Sequence, residues 1–235
     1  FGPEVMQEFG LNLILAVFAG TTILVASLIA LRQTNLKARL AYSTVGHLSY
    51  IVLGMALISA DGFMGGIMHL ANHATMKITL FFCAGAIYVN LHKTEISQLD
   101  GIGKVMPVTM GMFTIGALGL AGVPPINGFV SKWFLCLGAM EADKLIIVGI
   151  FLLSGLLNAA YFFPIIHRAF LCKGDDSLKG HGEAPLLMVI PICIVGVLSL
   201  LLGFYPNLFF NFYDLASTVA DSILHTTLAT AKVLP

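Results

Sequence analysis

Apolar residues run along this chain in long blocks separated by short polar stretches, a pattern of helices packed in lipid. A helix needs about 20 apolar residues to cross the hydrocarbon layer. Five runs of that kind are plain, at 11–31, 40–59, 63–89, 145–166 and 185–204. Between the third and fourth lies 105–140, far too long for one straight crossing and cramped for two. The predicted fold is therefore an all-α integral membrane protein with about six transmembrane helices. Residues 1–206 form the bundle. Residues 207–235 are less apolar and carry Asp214, Asp221 and His225, so they are expected to form a tail helix, exposed or packed on a partner.

The middle of the long block reads Gly122-Val123-Pro124-Pro125-Ile126-Asn127-Gly128. Two prolines remove two backbone donors and the flanking glycines bring no side chain to replace them, so the helix must break inside the membrane. Such a break is tolerated only where the freed backbone meets protein or water. It reads either as one discontinuous crossing or as a tight turn between two short helices. Counted as one crossing, it places Arg32, Lys37, Arg39, Lys93, Lys104, Arg168, Lys173 and Lys179 on one side, against Lys144 and Lys232 on the other. The hairpin gives seven against three, so the positive-inside rule favours the discontinuous crossing and makes loops 32–39, 90–104 and 167–184 cytoplasmic.

Composition agrees: 58% of residues are apolar and 10% charged, far from the charged quarter of a soluble domain. Net charge is zero, which leaves no basic surface for nucleic acid. The chain begins at Phe1 without a signal-peptide pattern, and a fragment of a longer polypeptide is expected. Cys83, Cys136, Cys172 and Cys193 show no metal or CxxC spacing and read as packing residues. No internal repeat or low-complexity segment stands out.

Of the 12 basic residues, Lys77 and Lys132 alone fall inside spans. A lysine at the bilayer centre costs at least about 2.5 kcal/mol, so each should face a wet interior or a partner. His69, His73 and Lys77 follow one another at spacings of four and share a helix face. Imidazoles and amines in such a row can pass protons through bridging water. The bland alternative is helix-packing hydrogen bonds. The histidine pair also has metal-ligand spacing, which the cation one turn on disfavours, so neither metal nor cofactor is expected. Lys77 should lie close to the polar side chains of the broken helix.

Lys132, in Gly128-Phe129-Val130-Ser131-Lys132-Trp133, follows the break by one turn and either lines its pocket or snorkels beside Trp133. Secondary candidates are Lys37, which precedes the second span, His47 within it, and Asn158 and His167 on the fifth. No aspartate or glutamate falls within a span, so any counter-charge must come from another chain or another half.

Three stretches resemble the antiporter-like subunits shared by Mrp-type cation/proton antiporters, respiratory complex I and membrane-bound hydrogenases, with the Mrp D subunit most similar. They are Gln33–Val45, His69–Lys77 and the segment from Gly122 to Trp133. The resemblance implies two inverted five-helix repeats per subunit, of which this chain is similar to the second with a final helix. It implies that Lys37, His73, Lys77 and Lys132 belong to a hydrophilic axis, and that the glutamate–lysine pair of the first repeat is absent here. The expected function is proton translocation, with sodium/proton antiport as its variant, in a multisubunit complex of the inner membrane of a prokaryote. Expected partners are other membrane subunits of an Mrp-like or complex I-like assembly, with a chain carrying the first repeat among them, and lipid. No catalytic centre is expected in the chain itself, which would serve a redox-driven ion translocase as its ion channel. A passive structural subunit and a small-solute transporter are the alternatives.

Overall fold

The computed structural model describes residues 2–174, 178, 180–208 and 211–231, with side chains described up to 224. Lys179 and Lys232 of the charge count and the side chain of His225 lie outside the described residues. The helices are α1 (Pro3–Glu8), α2 (Leu11–Arg32), α3 (Leu36–Ala56), α4 (Ala60–Leu91), α5 (Ile102–Val105), α6 (Pro107–Ala121), α7 (Asn127–Glu141), α8 (Leu145–Leu171), α9 (Leu186–Phe204) and α10 (Phe212–Ala231). Counting α6 and α7 together, α2, α3, α4, α6–α7, α8 and α9 make the expected bundle.

Helix starts follow local chemistry. Asn35 accepts a hydrogen bond from the Ala38 amide at the start of α3, and Ser59 does the same for Gly62 at the start of α4. At 32 residues α4 is the longest helix and packs against α3, α6, α7, α9 and α10. It forms the mast of the bundle. Its neighbours line up along it in order, Thr109 beside Cys83, Gly116 beside Leu80 and Gly119 beside Met76, then Asn127 beside Asn72, Ser131 beside His69 and Gly138 beside Gly62. The chain from 109 to 138 thus runs steadily antiparallel to α4. α6 and α7 are one interrupted crossing, and the hairpin reading falls.

α9 follows the same mast, with Leu187 and Pro191 near Phe82 and Gly85 and with Leu198 and Leu202 near Met68 and Asn72, and ends with Gly203 against the backbone of Pro125. Below it, α10 sets Ala216 and Ala220 into a cluster with Phe63, Met64 and Met68. The expected tail helix is therefore packed on its own chain and completes the wall that α9 leaves short.

The end of the bundle toward Ser59 is packed backbone to backbone. A Cβ on Gly138 would collide with the backbone of Gly62, and one on Gly65 would come within 2.7 Å of the Leu135 amide nitrogen. In lipid, close approach of this kind supplies the van der Waals contact that holds helices together.

Gly138→Val should destabilise the folded protein by about 1–3 kcal/mol through overpacking. Gly149→Val, where a Cβ meets nothing within 4 Å, should leave stability unchanged. Thermal unfolding of the two variants in detergent provides the comparison.

Candidate functional site

Pro124 and Pro125 lack the N–H groups that would bond the carbonyls four residues back, those of Leu120 and Ala121. α6 ends there, with Gly122 in the left-handed region at φ 92°. The chain turns through the Pro124–Pro125 cis peptide and restarts as α7. Lys132, one turn into α7, folds back and donates from Nζ to the Leu120 carbonyl at 2.6 Å and the Ala121 carbonyl at 3.2 Å. It is 9% exposed, whereas Trp133 is 54% exposed. The lysine thus points into the bundle while its neighbour faces outward, which removes the snorkelling alternative. A cation at the carbonyl end of a helix is also where the helix dipole favours it. The Tyr50 ring, 5.2 Å from Nζ, adds a cation–π contact.

The second donor to the Leu120 carbonyl is Asn158 Nδ2 on α8, at 3.1 Å. From Asn158 a chain of close polar contacts crosses the bundle. Asn158 Nδ2 lies 3.2 Å from His47 Nε2, His47 Nδ1 lies 3.2 Å from His69 Nε2, and His69 Nδ1 lies 2.9 Å from Ser131 Oγ on α7. On the other side of Asn158, the Tyr161 hydroxyl donates to Oδ1 at 2.6 Å. Ser43, near that hydroxyl, bonds Lys77 Nζ, which also donates to the Leu40 carbonyl at 2.8 Å. Four helices and the break thus place Lys77 and Lys132 at opposite ends of one polar cluster.

His69, His73 and Lys77 share the expected inward face and are all buried. Along α4 the His69 and His73 rings stack with centroids 6.0 Å apart, and a third ring joins them from α3. His47 completes a triangle of rings, its centroid 5.4 Å from both His69 and His73. His73 Nε2 is buried without a protein partner, and a buried polar atom of that kind commonly binds water. Lys77 was expected beside the broken helix, and its partners are instead on α3. The cause is helical rotation: Met76 already fills the contact with Gly119, and the next residue turns by about 100°.

Two further expectations are corrected. Lys37 is exposed and sits 4.7 Å above the Tyr88 ring, outside the cluster. The inward cation of that turn is Arg39, which donates to the carbonyls of Leu31, Gln33 and Tyr161 and so ties α2, α3 and α8 together. His167 is exposed at the end of α8. By contrast, His47 and Asn158, ranked second from sequence, are the centre of the site. Ser43, Ser131, Tyr161 and Arg39 were missed, because single hydroxyls and a loop-proximal arginine carry no signal until a neighbouring helix faces them. The pair Asn72 and Asn127 was missed too. Asn127 Nδ2 donates to Asn72 Oδ1 at 3.2 Å and to Thr75 Oγ1 at 3.0 Å, fastening the start of α7 to α4.

Fold and site together define a multi-pass membrane protein built around a discontinuous helix whose two halves are joined by a buried lysine. The match to known proteins agrees. Residues 4–158 fit the family described as NADH:quinone oxidoreductase/Mrp antiporter, TM, and the chain belongs to it. The NADH-quinone oxidoreductase subunit N of Desulforudis audaxviator is 37% identical over 205 residues, which cover 82% of this chain and 41% of that one. Among solved structures, a chain of the archaeal membrane-bound sulfane sulfur reductase, a respiratory membrane complex, superposes with a TM-score of 0.82 at 32% identity, over 96% of this chain and 45% of its own. A chain of the Mrp complex of Dietzia sp. DQ12-45-1b superposes with a TM-score of 0.81 at 23% identity, over 91% of this chain and 49% of its own, and shows the shared fold. The chain spans less than half the length of these relatives.

Lys132→Met should destabilise the fold by about 1–3 kcal/mol, since it leaves the Ala121 carbonyl buried without a donor. Lys37→Met, on the surface, should cost far less. Denaturation of both variants under one condition separates the inward lysine from the outward one.

Proposed function

We propose that this chain is the ion-translocating part of a membrane subunit of a multisubunit complex, moving protons through Lys77, the His47–His69–His73 group and Lys132. The observation that carries this reading is the way the two ammonium groups are held. Both are bonded to backbone carbonyls, with a serine hydroxyl added at Lys77, and among the described residues no carboxylate is buried near either. A buried ion pair would hold both charges in place by mutual attraction. Neutral acceptors leave the amine free to lose and regain its proton, and buried ionisable residues within membrane spans usually serve transport. Each imidazole between them can accept a proton on one ring nitrogen and release one from the other.

A passive structural role accounts for the bonds of Lys132 at the break, but it gives no reason for an ammonium at Lys77, where a neutral donor to the Leu40 carbonyl and Ser43 would serve at less cost. A small-solute transporter needs a polar cavity, and the cavity of about 320 Å³ beside the break is lined by Met68, Ala71, Leu198, Leu202, Pro206 and Phe212, with Asn72 as its polar residue. The relatives' names support partnership with other membrane subunits, in an assembly related to NADH-quinone oxidoreductase or to Mrp antiporters. The subunit would work in the inner membrane of a prokaryote, its loops 32–39, 90–104 and 167–184 facing the cytoplasm. Protons are the primary ion in this reading, and exchange against sodium is its variant in an antiporter assembly. Lys37 has no place in this path.

In the complete complex reconstituted into liposomes, Lys77→Met and Lys132→Met should each abolish most proton movement while assembly persists. A pH-sensitive dye inside the vesicles measures it, and wild-type rates in both variants would leave only the structural role. A cysteine at Lys173 should react with an impermeant maleimide from the cytoplasmic side of intact membranes.

A further inference from the structure

The hydrogen-bond directions within the site are determined by one side chain. Asn158 has two N–H donors on Nδ2 and an acceptor in Oδ1. The Leu120 carbonyl accepts from the amide at 3.1 Å, which requires Nδ2 on that side, and the Tyr161 hydroxyl donates to Oδ1 at 2.6 Å on the other. With the amide held between them, its second N–H points at His47 Nε2, 3.2 Å away. That nitrogen must accept, so the proton of a neutral His47 sits on Nδ1. His47 Nδ1 then donates to His69 Nε2, His69 in turn carries its proton on Nδ1, and that N–H donates to Ser131 Oγ. Ser131 passes the direction on by donating to the Gly128 carbonyl at 3.3 Å. Each donor points the same way, from α8 toward the start of α7.

We propose that Asn158 is a positioning residue that sets this polarity, holding His47 and His69 as Nδ1–H tautomers, so that a hydronium ion reaching His47 Nε2 displaces the Asn158 N–H and gives up its proton there, the His47 Nδ1 proton moves to His69 Nε2, and the His69 Nδ1 proton leaves to a water beside Ser131. The inference rests on the relay reading above and adds to it what resets the pair. After a proton has passed, both rings carry theirs on Nε2, and the N–H of His47 faces the N–H of Asn158. Because the amide is held by Leu120 and Tyr161 and cannot turn over without losing both bonds, the rings must turn or exchange protons before the next transfer. The amide itself passes no proton. It is a fixed end against which the histidines return to one arrangement. The carbonyl that orients it has no backbone donor because Pro124 has no N–H, and Asn158 shares it with Lys132, so the break in the helix and the direction of the histidine pair are linked. His73, stacked on both rings with Nε2 unpartnered, is not directed by Asn158.

The test is histidine tautomer state by 15N solid-state NMR on the complete complex in lipid at a pH where the rings are neutral, with His47→Gln and His69→Gln used to assign the signals. Wild-type protein should show both residues as Nδ1–H. Asn158→Asp replaces the donor by an acceptor and should move both residues to Nε2–H, reversing every bond as far as Ser131. Asn158→Leu, which keeps the volume and removes both roles, should give mixed tautomers. Either variant should slow proton movement, with Lys77→Met as the reference for loss of the relay. Nε2–H at either histidine in the wild type, or unchanged Nδ1–H in both variants, would overturn the polarity and leave the relay standing. Shifted tautomers with wild-type pumping in both variants would overturn the role in transport. Loss of pumping in the Asn158 variants with unshifted tautomers would also count against the proposal, since it assigns the residue a different task.

Discussion

Two carbonyl groups, those of Leu120 and Ala121, dictate most of what surrounds them. Pro124 and Pro125 leave them without backbone donors inside the membrane, where no bulk water can compensate and an unmade bond to a backbone group costs several kcal/mol. The chain answers with one donor from the next half-helix, Lys132, and one from α8, Asn158. An ammonium can serve both carbonyls at once because it has three donors and a flexible stem. The lysine is therefore part of how the break is tolerated as well as a candidate carrier of protons. This double use gives a physical reason for a charge in a place where charge is expensive.

From that point the rest of the site follows by contact. Asn158 can reach Leu120 only if α8 passes beside the end of α6, and the Tyr161 hydroxyl then meets its oxygen one turn further on. Arg39, bonded to the Tyr161 carbonyl and to the end of α2, holds this stretch of α8 against α3. α3 in turn supplies His47 to the histidines of α4 and Ser43 to Lys77. Apart from its lysines and Arg39 the network is polar and without fixed charge, and among the described residues no buried carboxylate balances these cations. Beyond His69, toward Ser59, α3, α4 and α7 approach one another backbone to backbone at Gly54, Gly62, Gly65 and Gly138.

Much of this was legible in the residues alone, and the parts that were have a common origin. Span number, the position of the break and the inward direction of His69, His73, Lys77 and Lys132 follow from two facts that hold in any membrane protein. A helix must satisfy its own backbone bonds, and lipid does not accept a bare lysine. The charge asymmetry of the loops chose one interrupted crossing over a hairpin for an independent reason, the positive-inside bias, and the alignment of 109–138 along α4 agrees with it.

What the chain did not reveal by itself was which partner each polar group would meet. Lys37 and Arg39 are two residues apart and read alike as loop cations, yet one lies outside over Tyr88 and the other is closed in by three carbonyls. His47 reads as a lone polar group in an apolar span, and only the crossing of α3 with α4 and α8 makes it the middle of the cluster. Lys77 has the spacing of a row along one helix but bonds across to another. The period of a helix determines the face on which a residue lies, and the cost of burial determines that the face turns inward. Neither determines the rotation and height of the neighbouring helix, which are settled by glycine contacts and by the fit of side chains such as Met76 distributed over the whole bundle.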